Sequence, residues 1–230
     1  MNDISLAKRL QTVKQQISAA EQQFGRKTGS VRLLSVSKTR PLEDIITVFE
    51  QGQVDFGENY LQDAMGKIEA TRHLALNWHF IGPIQSNKTR TLAENFSWVH
   101  SLERLKIARR LNDQRPTDLQ PLNVCLQVNI SREAQKSGVA PEDTLALALE
   151  VAQMPRLKLR GLMAIPKACD DFQEQRSLFK ALANLYQQLN KKGLNMDTLS
   201  MGMSGDIDAA IAEGSTMVRV GSAIFGPRQP

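Results

Sequence analysis

Eight short runs of apolar and β-branched residues, each followed by a helix-patterned stretch or a short closing segment, constrain this chain more than any single motif. The runs are Val31 to Ser37, Val54 to Gly57, Asn77 to Ile81, Ser97 to His100, Leu122 to Asn129, Leu157 to Met163, Thr198 to Met203 and Met217 to Val220. Helical spacing fills the intervals, from about Pro41 to Gln51, Asn59 to Arg72, Ser86 to Asn95, Leu102 to Asn112, Pro141 to Gln153, Asp171 to Lys191 and Asp206 to Glu213. Strands that alternate with helices pair in parallel, because each crossover returns the chain to the same end of the sheet. With no Pro/Gly/Ser linker and no shift in composition, the pattern predicts one α/β domain over residues 1–230, a single (β/α)8 TIM barrel. The fourth run is the weakest, and without it an open, doubly wound sheet is the alternative. No GxGxxG is present, so a dinucleotide fold is not favoured.

An extra helix precedes the first strand. Leu6, Leu10, Val13, Ile17, Ala20 and Phe24 recur at spacings of three and four until Gly25 closes the pattern. This N-terminal helix, within residues 1–26, is expected to pack on the barrel by capping its bottom; joining two subunits is the other use of such a face.

Charge and cysteine content narrow the partners. The 29 basic and 24 acidic residues leave +5, and the densest cluster, Arg104, Lys106, Arg109 and Arg110, reads as a solvated helix face. A nucleic-acid surface needs a contiguous basic stripe with stacking aromatics, and aromatics are only 5% here, so a small anionic ligand fits better. Cys125 and Cys169 stand far apart with no CxxC, which suggests neither a zinc site nor a disulfide framework; no metal is expected. The opening MNDISLAKRLQTVK lacks an apolar signal core, and no apolar run approaches the ~18 residues of a membrane span. A soluble cytoplasmic protein with no membrane partner is the expectation.

Chemistry is expected where barrels place it, at the carboxyl ends of the strands. The first run ends VRLLSVSKTRP, and alternation puts Leu34, Val36 and Lys38 on one face. An amine desolvated by apolar walls titrates low, as a Schiff-base lysine must; a strand-end lysine reaching into water is the plainer reading. The loops after the seventh and eighth strands contain Met203-Ser204-Gly205-Asp206 and Arg219-Val220-Gly221-Ser222, with the glycines, hydroxyls and helix starts that bind phosphate. Arg219 alternates with Met217 and Gly221, so it faces the same mouth or pairs with a carboxylate such as Asp208 or Glu213. Asn59 lies just past the second strand, placed to bond a ligand hydroxyl or to cap the next helix. An amine facing a phosphate cradle fits two chemistries: pyridoxal phosphate held as a Schiff base, or a Schiff-base aldolase acting on a phosphorylated sugar.

Other constellations fail on pattern. Ser204 resembles a nucleophile elbow, but Asp206 stands where glycine is required, and His73, His79 and His100 all precede it, against the order of that fold. No histidine pair has HExxH spacing. His79 reads as a hydrogen-bonded core histidine, and Asp206 and Asp208 as charges at a helix N-terminus.

These same segments carry a resemblance. LLSVSKTRP (33–41), FGENYLQD (56–63), WHFIGPIQSNK (78–88), NVCLQVNIS (123–131), KSG (136–138), LRGLMAIP (159–166), LSMGMSGDIDAAI (199–211) and GSTMVRVGSAIFG (214–226) resemble, in one order along the chain, the pyridoxal phosphate homeostasis protein family, single-domain relatives of the alanine racemase barrel. The resemblance implies pyridoxal 5'-phosphate bound as a Schiff base on Lys38, with phosphate at Ser204, Gly221 and Ser222, Arg219 near the ring nitrogen or phosphate, and Asn59 lining the site. Members are regarded as binders that keep the cofactor in balance with vitamin B6 metabolism, with no turnover established. Arg40 departs from the family pattern, where a second lysine is often found, and a guanidinium cannot accept the aldehyde.

The expectation is therefore a non-catalytic carrier, with dependent apoenzymes as recipients, as a monomer or weak homodimer. An arginine at the ring nitrogen weakens the electron sink that a racemase needs. The alanine racemase family takes a catalytic tyrosine from a second, β-rich domain; the barrel here runs to Pro230, so that domain is expected to be absent, leaving only Tyr60 and Tyr186. The alternative is a Schiff-base enzyme, a minimal amino-acid racemase or an aldolase.

Overall fold

The structure, a computed structural model, describes residues 5–133 and 135–227; residues 1–4 and 228–230 of the expected domain lie outside the described residues. The strands are β1 (Arg32–Val36), β2 (Asp55–Glu58), β3 (Asn77–Phe80), β4 (Trp98–Leu102), β5 (Leu122–Gln127), β6 (Leu157–Met163), β7 (Thr198–Ser200) and β8 (Met217–Val220). They pair in parallel in chain order, and Arg32, Leu33, Leu34 and Ser35 lie opposite Met217, Val218, Arg219 and Val220, so β8 closes onto β1. That pairing makes a barrel and rules out the open sheet. The doubtful fourth run is β4, buried along its whole length.

The helices are α1 (Leu6–Gln23), α2 (Leu42–Glu50), α3 (Leu61–Ala70), α4 (Thr89–Asn95), α5 (Leu105–Gln114), α6 (Thr144–Ala152), α7 (Phe172–Asn190), α8 (Ile207–Ala212) and α9 (Ser222–Phe225). Single 3-10 turns at Ser86–Lys88 and Pro141–Asp143 lead into α4 and α6, so both α-helices start three residues later than their apolar spacing predicts. Strands and helices share one large apolar cluster that includes Phe56, Phe80, Leu92, Leu111, Leu162 and Phe179.

The N-terminal helix does not cap the barrel floor. It packs beside α2, α8 and α9 in the outer ring, because α9 has only four residues and cannot cover the β8–β1 seam. Leu10, Val13 and Ile17 are buried there, each contributing about 1.5–3 kcal/mol. At its end, the buried Glu21 accepts from the Val31 N–H (2.7 Å), the Gly29 N–H (2.9 Å) and the Ser30 hydroxyl (3.2 Å). One carboxylate thus ties the helix to the approach of β1.

Inside the barrel, beside Trp98, Cys125 and Met163, runs a column of polar side chains. Asp55 Oδ1 accepts from Arg32 (2.8 Å) and Asn77 (3.0 Å) and lies 3.1 Å from His79 Nε2. His79 Nδ1 is 3.0 Å from His100 Nε2, His100 Nδ1 is 2.9 Å from Ser200 Oγ, and Ser200 Oγ accepts from Arg219 (2.9 Å). The carboxylate can only accept, so His79 donates through Nε2 and must accept at Nδ1; His100 then donates through Nε2 and accepts the Ser200 hydroxyl at Nδ1. Every link is satisfied with both rings neutral. Burial holds both imidazoles below their usual range; Asp55 offsets part of this at His79, whereas at His100 the neighbouring His79, Arg219 and Arg32 push it lower still. Burial opposes ionisation of Asp55 too, but the His79 and Arg32 contacts outweigh it and bring the carboxyl down to about 2.

Two outcomes follow. Glu21→Ala strands the Val31 and Gly29 amides and lowers unfolding free energy by about 2–4 kcal/mol, measurable by urea denaturation. All three depressed groups bind fewer protons folded than unfolded. Stability is therefore complete above the ordinary histidine value and falls as pH drops below about 6.5, by up to about 1.4 kcal/mol per pH unit for each imidazole, with Asp55 adding a further loss below pH 4. Urea midpoints between pH 7.5 and 5 check this, and His79→Gln/His100→Gln should flatten the profile.

Candidate functional site

At the carboxyl ends of the strands a cavity of about 430 Å3 opens, lined by Lys38, Asn59, Ser204, Arg219, Gly221 and Ser222 together with apolar Val36, Ile81, Ile165 and Met203. Every site residue expected from the sequence is in this one lining. The size suits a small phosphorylated molecule.

Each side chain reaches the cavity for a local reason. Lys38 follows β1 in the inward register of Val36 and is half-buried. Its backbone sits in a tight turn, closed by the Arg40 N–H on the Ser37 carbonyl at 3.0 Å, with Thr39 at φ +62°. Asn59 caps no helix: Tyr60 holds the N-cap position of α3, and among the described residues nothing bonds the buried Asn59 Oδ1. That atom is an acceptor awaiting a donor. Gly82 makes Asn59's position possible, since a Cβ there would fall 2.1 Å from the Asn59 carbonyl oxygen.

Beside β1, the loops after β7 and β8 meet. Ser222 and Ser204 place their hydroxyl oxygens 3.3 Å apart. Among the described residues, no backbone acceptor takes the N–H groups of Ser204, Gly205 or Ser222. Gly221 brings this loop against β1, where a Cβ would come 3.2 Å from the Val36 carbonyl oxygen. Two hydroxyls and several amides on one wall are donors that can cradle an anion. Asp206, whose carboxyl burial pushes up, accepts from the Met203 N–H at 2.5 Å and so shapes the turn before α8.

Arg219 does not pair with Asp208 or Glu213. Glu213 is taken by Arg176 (2.7 Å), and Asp208 by Gln16 (3.0 Å). Instead Arg219 donates to the Ser200 carbonyl (2.6 Å) and hydroxyl and to the Ala164 carbonyl (2.9 Å). Burial brings its guanidinium down to about 10, still a cation at neutral pH.

Other sequence candidates fall elsewhere. His79 and His100 belong to the interior column, His73 is exposed beyond α3, and Tyr186 donates to the Met196 carbonyl from α7. Cys125 is buried inside the barrel beside Trp98 and Met163, with burial pushing its thiol up to about 12. Sequence reasoning missed the group behind Lys38. Glu58 Oε1 accepts from the Ser37 hydroxyl (2.7 Å) and the Lys67 amine (2.8 Å), and Lys67 also donates to the Ser37 carbonyl (2.9 Å). Burial raises the Glu58 carboxyl, against the pull of Lys67. Its only sequence signal was an acidic residue closing a buried strand.

The chain matches the family described as "Alanine racemase, N-terminal domain" over residues 9–229. It is 55% identical over 224 residues to a "Pyridoxal phosphate homeostasis protein" of Pseudomonas aeruginosa, covering 97% of this chain and 96% of that one. Among solved structures it resembles PipY of Synechococcus elongatus with PLP bound, at TM-score 0.84 and 32% identity, covering 96% of this chain and all (100%) of that one. Alanine racemase of Corynebacterium glutamicum shares the fold at TM-score 0.70 and 17% identity, with 95% of this chain matching 62% of that one. Closed barrel, strand-end cavity and extended similarity agree: the chain belongs to the pyridoxal phosphate homeostasis proteins of the alanine racemase N-terminal domain family.

Proposed function

We propose that this chain binds pyridoxal 5'-phosphate at the barrel mouth through Lys38, Asn59, Ser204, Arg219, Gly221 and Ser222, and carries it in the cytoplasm without turning over a substrate. The fit rests on three features of the cavity: a primary amine, a group of anion-binding donors in the same lining, and the unpartnered buried acceptor of Asn59. The cofactor, when bound, supplies an aldehyde that combines reversibly with primary amines and a ring that withdraws electrons from carbon so attached.

The residues then divide the work. Lys38 offers the amine, with Val36, Ile81 and Met203 as apolar neighbours in the lining. Ser204 and Ser222 donate hydroxyl hydrogens to the phosphate beside the amides of Gly205 and Ser222. Arg219 donates a hydrogen bond toward the ring while keeping its proton, because a guanidinium at about 10 remains charged at neutral pH. Such a partner leaves the ring a weak electron sink. Asn59 accepts from the ring hydroxyl.

The observation that carries the carrier reading is the rest of the lining. Among the described residues, no Asp, Glu, His, Cys or Tyr borders the cavity, where a racemase requires an acid–base group on each face of its substrate. Arg40 and Arg219 are its other ionisable groups, and neither serves as a base at neutral pH. The relatives' names agree with this reading. An apoenzyme that receives the cofactor would draw it from a cleft open to solvent, and a monomer or weak homodimer suffices for that role.

The purified protein should show a visible band with pyridoxal phosphate, and borohydride should leave a pyridoxyl adduct on the Lys38 peptide. Lys38→Ala should abolish the adduct and weaken binding by about a hundredfold or more. Ser204→Ala/Ser222→Ala should weaken binding by about tenfold or more while the adduct still forms on Lys38. Amino acids should show no multiple turnover; turnover that disappears in Lys38→Ala would make this an enzyme instead.

A further inference from the structure

The turn that presents Lys38 is strained. Thr39 is β-branched and sits at φ +62°, the left-handed region such residues avoid, at the third position of the Ser37–Arg40 turn. Strain of this kind persists only where the surroundings over-determine the backbone. Here they do so through Ser37, whose polar groups are all engaged. Its N–H donates to the Gly57 carbonyl (3.0 Å), its hydroxyl to Glu58 (2.7 Å), and its carbonyl accepts both the Arg40 N–H (3.0 Å) and the Lys67 amine (2.9 Å).

Glu58 and Lys67 bring to this turn a buried ion pair, which is costly to desolvate and would be replaceable by apolar packing if stability were its only role. Glu58 is wholly buried, the Lys67 side chain is 11% exposed, and neither lines the cavity. The pair therefore acts on the ligand site only through the backbone it holds. From the other flank, Arg40 donates to the Gly226 and Pro227 carbonyls (2.6 Å each), just past the Ser222 loop.

We infer that Glu58 and Lys67 are positioning residues, a clamp that holds the strained Ser37–Arg40 turn in the one conformation that delivers the Lys38 amine to the cavity. The inference rests on Lys38 being the cofactor-bearing amine. When the clamp is lost, Thr39 relaxes toward negative φ and the Lys38 side chain leaves its register. Glycine at position 39 accepts positive φ without strain, so it makes the clamp dispensable.

The test uses the full-length protein and pyridoxal phosphate as probe. Lys67→Met should accelerate amide hydrogen exchange at Arg40 by about tenfold or more in cofactor-free protein. It should also slow borohydride-trapped labelling of Lys38 by about tenfold or more, and Thr39→Gly/Lys67→Met should restore labelling to within about threefold of the unaltered protein. Glu58→Gln/Lys67→Met leaves no unpaired buried charge, so it should fold and still show the labelling defect. Unchanged labelling in Lys67→Met, or a defect that Thr39→Gly does not rescue, overturns the clamp. If the unaltered protein is not labelled at Lys38, the functional reading fails by itself, and exchange at Arg40 still decides whether the pair holds the turn.

Discussion

A column of hydrogen bonds through the barrel interior, from Asp55 through His79, His100 and Ser200 to Arg219, is the constraint on which the mouth depends. Asp55, as an obligate acceptor, sets the direction of every donor above it. Arg219 is the last donor of that column, and the Ala164 and Ser200 carbonyls hold its fork. A buried guanidinium needs this many acceptors, because the charge of Asp206 offsets only part of its desolvation. The interior therefore does more than fill space: it locks a cation at one wall of the cavity.

The neighbouring wall, at the end of β1, is built from different forces. Lys38 reaches the cavity because β1 keeps a two-residue alternation past its last ladder bond, and because a strained turn is held against β2 and α3. Glycine permits two close approaches: Gly221 lets the β8 loop close on Val36, and Gly82 lets the segment after β3 pass Asn59. A hydrogen-bonded core, a clamped turn and two close backbone approaches thus converge on one space.

The separation of amine from acid–base groups is what supports the proposed carrier role on a fold shared with racemases. The cavity holds reactive amine and anion contacts, while every histidine near the barrel axis is spent on the column, neutral and committed at both ring nitrogens. Carboxylates nearby lie outside the lining: Glu58 bonds Ser37 and Lys67 through Oε1, and Asp206 bonds a backbone amide. What remains binds without a proton shuttle.

Much of this was legible in the chain. The eight-fold alternation pointed to a barrel, the pairing of β8 with β1 removed the open sheet that the weak fourth run left possible, and motif order put Lys38, Asn59, Ser204, Arg219, Gly221 and Ser222 at strand ends. β4 looked weak because its inward residues, Trp98 and His100, serve a polar interior that hydrophobic patterning does not reward. Only the tertiary structure decided where α1 goes, because the gap it fills is left by the shortness of α9 at the far end of the chain. It also decided Arg219's partners, and joined Glu58 and Lys67 to Ser37. Side-chain periodicity follows from local backbone geometry, whereas the choice of a hydrogen-bond partner depends on which distant strands closure brings within 3 Å.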